Sequence, residues 1–331
     1  MIWRCPKCRG FLVERRQEAC CESCSSCYEK IDGILDLRLT GASWVDYEED
    51  KATARRLAVE SAGLSAEELI RRVFSVRPEW NETRIALRTR QVVTAPEHLR
   101  AELRGWLRPC TLGTGLFLDL GCGPGMLLAA AAAEGRQGIG IDVSFVWLIV
   151  AKRLITQWGG QPILAAALAE ALPLADASVA SVVSLDVIEH VADPRRYVQE
   201  INRVTEFGGW VMLSTPNRYS LAAEPHTSIW GVGWLPRSWQ KSYVRWWSGG
   251  SYEYTRLLSA REVARLFLQY TRFRPHFLVP AVPRGAIADF PPYRAILARL
   301  YNRLVSLGWT RWLFLRVGAF FQVVGKKTEP L

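Results

Sequence analysis

The sequence predicts an α/β protein built on a doubly wound sheet, and three observations carry that expectation. From Gly115 to Thr215, short apolar runs of strand length alternate with helix-length segments. One of those runs, Leu116 to Leu120, breaks into the turn Gly121-Cys-Gly123-Pro-Gly125 directly ahead of a helical stretch, where bare backbone can approach a small charged ligand. Ahead of this region stand two Cys-x-x-Cys pairs, the mark of a small metal-stapled module.

Composition bounds the rest. At 331 residues with 49% apolar content, the chain can bury one large core and carry an appendage. Its net charge of +10 is uneven: from Arg218 onward there are 17 Lys and Arg against 5 Asp and Glu, and 7 of the 14 tryptophans. A basic, aromatic C-terminal third calls for an anionic partner, whether nucleic acid, lipid head group or sugar phosphate, and charge does not choose among them. Met1 to Pro6 lead into cysteines with no apolar leader, and no run suits a membrane span, so a cytoplasmic protein is expected, with contact to the inner face of the membrane as a further expectation.

In chain order, Cys5-Pro-Lys-Cys8 and Cys21-Glu-Ser-Cys24 lie 12 residues apart, close to the spacing of a four-cysteine zinc ribbon. Cys24-Ser-Ser-Cys27 is a third pair and Cys20 competes with Cys21, so the residues alone leave the ligand set open. Four thiolates would close the coordination sphere, which makes such a site structural. Residues 1–40 form this module, 41–108 a charged helical linker or cover, and 109–331 the sheet domain. Ser65-Ala-Glu-Glu68 reads as a capping box ahead of Leu69, Ile70, Val73 and Phe74. Strands are expected at 116–120, 137–142, near 162–166, at 179–185 and at 209–215, with helices at 126–134, 145–158 and 194–205 between them. A helix from Ser259 to Tyr270 and strands at 272–279 and 320–325 follow. Between the last two, Ile296, Leu300, Leu304 and Leu307 share a helical face among Arg294, Arg299 and Arg303, with Trp309 and Trp312 beyond. Such a basic amphipathic segment suits a membrane surface or packs on the sheet as a cap.

The glycine turn discriminates among ligands. Its third glycine comes one residue too early for the dinucleotide fingerprint, which argues against NAD, and an acid, Asp142, ends the next strand about 20 positions on. The pattern Asp119-x-Gly121-x-Gly123-x-Gly125 with Asp142 resembles the cofactor loop of class I S-adenosylmethionine-dependent methyltransferases, of the ubiquinone-biosynthesis kind, over roughly residues 110–280. The resemblance implies a Rossmann-like, seven-stranded, mostly parallel sheet ending in a reversed hairpin, with acceptor-side insertions at about 218–258 and 281–318. It implies S-adenosyl-L-methionine as donor, held by Asp119, Gly121, Cys122, Gly123 and Gly125, with Asp142 and Val143 at the ribose, Leu168 and Ala169 along the adenine, and Asp186 near the sulfur. Bacterial members with a short zinc-ribbon-like module end it in a tyrosine and Ile-x-Asp-Gly-Ile. Tyr28 to Ile34 stand in that place, and the likeness selects Cys5, Cys8, Cys21 and Cys24 as ligands of a structural zinc. Two positions depart from the family: Leu168 and Ala180 stand where acids are usual.

Methyl transfer from a sulfonium is chiefly a matter of alignment. The resemblance nominates Asp186, His190 and His226 as catalytic: a base for a hydroxyl acceptor, or, through Asp186 and the Glu189-His190 pair, ligands of a divalent metal. The expected acceptor is an oxygen or nitrogen of a small molecule, glycan or lipid-linked intermediate. RNA is disfavoured because Thr215-Pro-Asn217 lacks the Asn/Asp-Pro-Pro-Tyr signature of amino-methylating nucleic-acid enzymes. A non-catalytic cofactor-binding module is the other alternative, motivated by Leu168 and Ala180.

Overall fold

The computed structural model describes residues 2–39, 45–77, 80–106, 115–282, 287 and 290–329. Four short strands open the chain: β1 (Leu12–Glu14), β2 (Glu18–Cys21), β3 (Cys27–Ile31) and β4 (Ile34–Asp36), each antiparallel to the next. Helices α1 (Tyr47–Glu60), α2 (Ala66–Ser75) and α3 (Glu82–Trp106) follow. Alternation then begins with β5 (Phe117–Leu120), α4 (Met126–Ala133), β6 (Gly138–Asp142), α5 (Phe145–Gln157), β7 (Ile163–Ala166), β8 (Val179–Leu185), α6 (Pro194–Val204) and β9 (Thr205–Pro216). The C-terminal part holds α7 (Arg237–Ser248), α8 (Ala260–Tyr270), β10 (Phe273–Leu278), α9 (Pro292–Ser306), α10 (Arg311–Val317) and β11 (Phe320–Lys327).

The sheet order is β1-β2-β3-β4-β7-β6-β5-β8-β9-β11-β10. Its central strands β7 to β9 are parallel, and β11 enters antiparallel between β9 and β10, the reversed hairpin that the sequence implies. The cysteine-bearing strands are joined to this sheet: β4 pairs in parallel with β7 through Leu35↔Ala165 and Asp36↔Ala166, giving an 11-stranded sheet where the sequence suggests seven plus an appended ribbon. The domain limits expected near residues 40 and 108 fall outside the described residues.

Alternation in the strands explains the two cores. On β5, Leu118 and Leu120 face Val182, Val211 and Leu213 beneath α6 and α8, whereas Phe117 faces Leu128, Phe145 and Leu148 of α4 and α5 on the other side. Helix α5 is apolar on nearly every side because α1 and α2 pack against it, and α3 lies against α4. Start signals hold the helices: Ser65 and Glu68 form the expected capping box, Asp193 accepts from Arg195 and Arg196 N–H ahead of α6, and Ser259 and Glu262 form a second box on α8. Strand β9 begins at Thr205 rather than 209, since Thr205 already pairs with Val179 before a bulge carries the ladder to Ser181↔Trp210. Among the described residues no helix is long and apolar enough to cross a membrane.

Candidate active site

The chain leaves β5 outward through β6 and β7, then returns to β8 on the other side of β5. That reversal opens a crevice at the carboxyl ends of the strands. Gly121, Asp142, Val143, Leu168, Ala169 and Asp186 line it, joined by Glu170, Val187 and His190. Six of the cofactor residues expected from sequence are thus brought to one cavity. Asp119 and Cys122 lie buried behind it, and the Cys122 thiol packs beside Gly140 in the core.

Two glycines are required by close packing. A Cβ on Gly121, at φ +78°, would lie 2.2 Å from the Val187 side chain, and one on Gly125, at φ +77°, 2.8 Å from that of Ala151. Gly123 meets nothing within 4 Å, so its outer side is free for a ligand. The turn is pinned from β6: Gly121 and Cys122 N–H both donate to Ile141 C=O, at 2.7 and 3.1 Å. Asp142 completes the link by accepting from Gly123 N–H and Ser144 N–H, each at 2.8 Å. Burial raises the Asp142 carboxyl above its ordinary range, against the pull of these donors. Burial, with the charge of Asp142, also pushes Asp119 up, to about 8.

The turn after Asp142 rests on residues that the sequence does not single out. Asp50 of α1 accepts from Ser144 Oγ at 3.0 Å, Phe145 N–H at 2.8 Å and Val146 N–H at 3.3 Å, capping α5 from another element. Arg38 donates to Asp50 at 2.7 Å, to Asp36 at 2.8 and 2.9 Å, and to Val143 C=O at 2.9 Å. This buried network anchors the helical layer to the strand end that carries Asp142. Neither departure from the family pattern blocks the crevice. Leu168 presents an apolar side to it, while Ala180 sits near the start of β8, packed against Gly115 at the opposite end of the strand.

Of the acid and histidine groups, Asp186 and His190 line the crevice, while Glu189, Glu224 and His226 lie next to them outside its lining. Asp186 takes a left-handed backbone at φ 57°, and burial raises it to about 6 despite nearby His226. Glu189 is buried and raised to about 7 by burial and the charge of Asp186; its Oε2 accepts from Thr215 at 3.0 Å, and its Oε1 is buried without a partner. The His190 and His226 rings meet edge to face at 4.7 Å. His226 Nδ1 lies 2.5 Å from Glu224 Oε1, and Glu224 is held in turn by Thr227 N–H and Oγ1 at 2.6 and 2.8 Å. Burial opposes charge on His226, but this bond and the Glu224, Glu189 and Asp186 charges raise its pKa above the ordinary histidine value. His190 is lowered by burial; its Nδ1 contacts Tyr254 C=O at 3.1 Å. One ligand atom each from Glu189, His190 and His226 lies within 4.8 Å of the others, a set that can hold a divalent cation.

The N-terminal thiols also converge. Cys5, Cys8, Cys21 and Cys24 place their sulfurs within 4.8 Å of one another. Arg9 N–H returns to Cys5 C=O at 2.7 Å and Ser25 N–H to Cys21 C=O at 3.0 Å, with Arg9 and Ser25 both at positive φ, so the two knuckles share one turn geometry. Cys20 and Cys27, open alternatives in the sequence, pair with each other as a disulfide across β2 and β3. The four-sulfur set fits zinc by donor type and number.

Residues 118–213 match the family model described as a methyltransferase domain. The chain is 31% identical over 150 residues to the ubiquinone biosynthesis O-methyltransferase of Nitrosomonas europaea, covering 45% of this chain and 60% of that protein. It is 35% identical over 156 residues to the Paracidovorax citrulli enzyme of the same name, covering 44% and 58%. A probable S-adenosylmethionine-dependent methyltransferase of Mycobacterium tuberculosis is 38% identical over 112 residues, covering 34% of this chain and 39% of that one. The chain therefore spans less than two thirds of the length of these relatives. A Haemonchus contortus phosphoethanolamine N-methyltransferase 2 structure superposes with TM-score 0.49 at 18% identity, over 80% of this chain and 61% of that one. The α/β region that carries the glycine turn and Asp142 is a class I S-adenosylmethionine-dependent methyltransferase domain.

Proposed function

We propose that the protein transfers a methyl group from S-adenosyl-L-methionine to an oxygen of a small or lipid-linked acceptor. The observation that carries the acceptor atom is the Glu224–His226 pair, a carboxylate-oriented histidine whose ring meets that of His190 in the crevice wall at 4.7 Å and whose charge acts on Asp186. When bound, the donor supplies a methyl carbon already activated by its sulfonium. The open side of Gly123 and the α4 N-terminus suit the donor's carboxylate, Asp119 its ammonium, and Asp142 its ribose. Leu168 and Ala169, in the crevice wall, would lie along its adenine. His226, oriented by Glu224, takes the proton that a hydroxyl acceptor loses as its oxygen gains the methyl group. The oxygen preference is supported by the names of the two ubiquinone biosynthesis O-methyltransferases, which carry that activity in those proteins.

A second reading is favoured by the unpartnered Glu189 Oε1. Glu189, His190 and His226 would hold a divalent cation that lowers the pKa of the acceptor hydroxyl, with Glu224 orienting a ligand instead of a base. In either reading the four N-terminal cysteines would hold a structural zinc.

Calorimetric titration with S-adenosyl-L-methionine, followed by turnover with and without a chelator, tests these points. Saturable 1:1 binding is expected. No binding would overturn the proposal and favour a scaffolding role. Activity lost on chelation and restored by magnesium or manganese would move His226 from base to ligand.

A further inference from the structure

Helix α9 is packed inside out. It buries Ala295, Ala298 and Val305 while Tyr293, Ile296, Leu297 and Leu300 are 58%, 63%, 60% and 52% exposed. A surface helix selected for water alone would turn its leucines inward. Its orientation is fixed from below, because Asn302 exchanges two hydrogen bonds of 2.8 Å with the Val282 backbone and Tyr301 donates to Pro280 C=O at 2.9 Å.

The apolar face continues along the chain. Trp309 and Trp312 are 74% and 57% exposed, and Trp312 joins Tyr219, Trp234 and Phe277 around an apolar groove. From α10 the surface runs on through backbone contacts: Leu221 N–H donates to Val317 C=O at 3.0 Å, and the Trp230 indole to Leu221 C=O at 3.1 Å. Tyr243 donates to Trp230 C=O at 3.1 Å, and of the exposed tryptophans of α7, Trp246 stacks on its ring and Trp247 lies tilted against it. Between Pro291 and Val317 the sequence holds five arginines and no Asp or Glu.

We infer that this face docks on an anionic lipid bilayer, lying in the interface without crossing it. Exposed aliphatic side chains suit hydrocarbon, tryptophans the head-group level, and arginines the lipid phosphates. RNA would satisfy the arginines and stack on the tryptophans but offers no counterpart to Ile296, Leu297 and Leu300. A second copy across a two-fold axis would bring two arginine rows together. The inference adds to the proposed function by bringing the protein to a membrane that can supply a lipid-linked acceptor, and it stands on the surface alone.

Flotation of the full chain with phosphatidylcholine vesicles, and with an equal mixture of phosphatidylcholine and phosphatidylglycerol, tests it. The protein is expected to float with the mixed vesicles at low salt and to dissociate as salt rises. Leu297→Ala with Leu300→Ala should weaken partitioning by at least about tenfold. Arg299→Gln and Arg303→Gln should each weaken it about fivefold, and both sets should retain S-adenosyl-L-methionine binding by calorimetry. Failure to float at low salt overturns the inference, as does binding that neither set diminishes. RNA binding, or a leucine-dependent dimer, in protein that does not float would assign the face to that partner instead. Vesicle binding without methyl transfer would leave this inference standing and refute the proposed function.

Discussion

Replacing Asp50 with Asn tests whether the helical layer builds the cofactor side of the crevice or only covers it. The carboxylate accepts four hydrogen bonds, from Arg38, Ser144 Oγ, Phe145 N–H and Val146 N–H, all inside the fold. Breaking a buried ion pair costs about 3–5 kcal/mol when the partner charge is stranded. Arg38 keeps Asp36 at 2.8 Å, so the lower end of that range applies. Loss of the charge at the α5 N-terminus contributes about 1 kcal/mol, and Asn retains one acceptor oxygen, which offsets part of it. The sum is a destabilisation of about 3 kcal/mol by urea denaturation. Because Ser144 N–H also binds Asp142, loosening this turn should weaken the binding of S-adenosyl-L-methionine by about tenfold in calorimetry. Glu49→Gln, one position away and exposed, is the control and should shift stability by less than about 0.5 kcal/mol. Equal stability and affinity in Asp50→Asn and Glu49→Gln would refute the reasoning.

Four further outcomes follow from the site. Asp142→Ala should raise the dissociation constant for S-adenosyl-L-methionine by at least about tenfold, since it frees Gly123 N–H as well as removing the ribose partner. Asp119 is raised to about 8 in the free protein, so an arriving ammonium should ionise it. Binding near neutral pH should then release a proton and strengthen as pH rises toward 8, an effect absent in Asp119→Asn, measured by calorimetry in buffers of different ionisation enthalpy. His226→Gln should lower kcat by about 10²–10⁴ with cofactor affinity retained. In the wild type the rate should climb as pH passes upward through the His226 pKa, above the ordinary value, because only the neutral ring accepts a proton. Metal analysis should find one zinc per chain, lost in Cys24→Ser; Arg4 N–H donates to Pro173 C=O at 2.9 Å beside the segment flanking the adenine, so that loss should also weaken cofactor binding.

What the sequence shows well is local. The glycine turn, the strand-end acid, the cysteine knuckles and the capping boxes each declare themselves within a few residues, and periodicity places the strands from Phe117 to Pro216 within a few positions. The start of β9 is misplaced because the glycine pair lies inside a bulge, and a bulge looks like a turn until its partner strand is known. What stays hidden is long-range. Ile34 to Asp36 read as the end of a small module, and nothing nearby announces that they extend the main sheet beside β7. Asp50 follows Glu48 and Glu49 in the first turn of α1, where acids are expected for the helix dipole alone; its partners Ser144, Phe145 and Val146 lie 94 to 96 residues away. Glu224 is visible in sequence beside His226, but its role as orienter needs the 2.5 Å contact that the loop provides. The face of α9 was half legible: the leucine spacing shows an amphipathic helix, and only packing shows that the apolar side points outward.

The central claim is methyl transfer to oxygen on an acceptor drawn from the small-molecule or lipid pool. The direct measurement is incubation of the purified chain with methyl-labelled S-adenosyl-L-methionine and a lysate, divided afterwards into lipid, small-molecule, RNA and protein fractions. Label is predicted in the lipid or small-molecule fraction as a methyl ether or ester, reduced by Asp142→Ala at sub-saturating cofactor and strongly reduced by His226→Gln. Label confined to RNA or protein, or labelling equal in wild type and both variants, would contradict it.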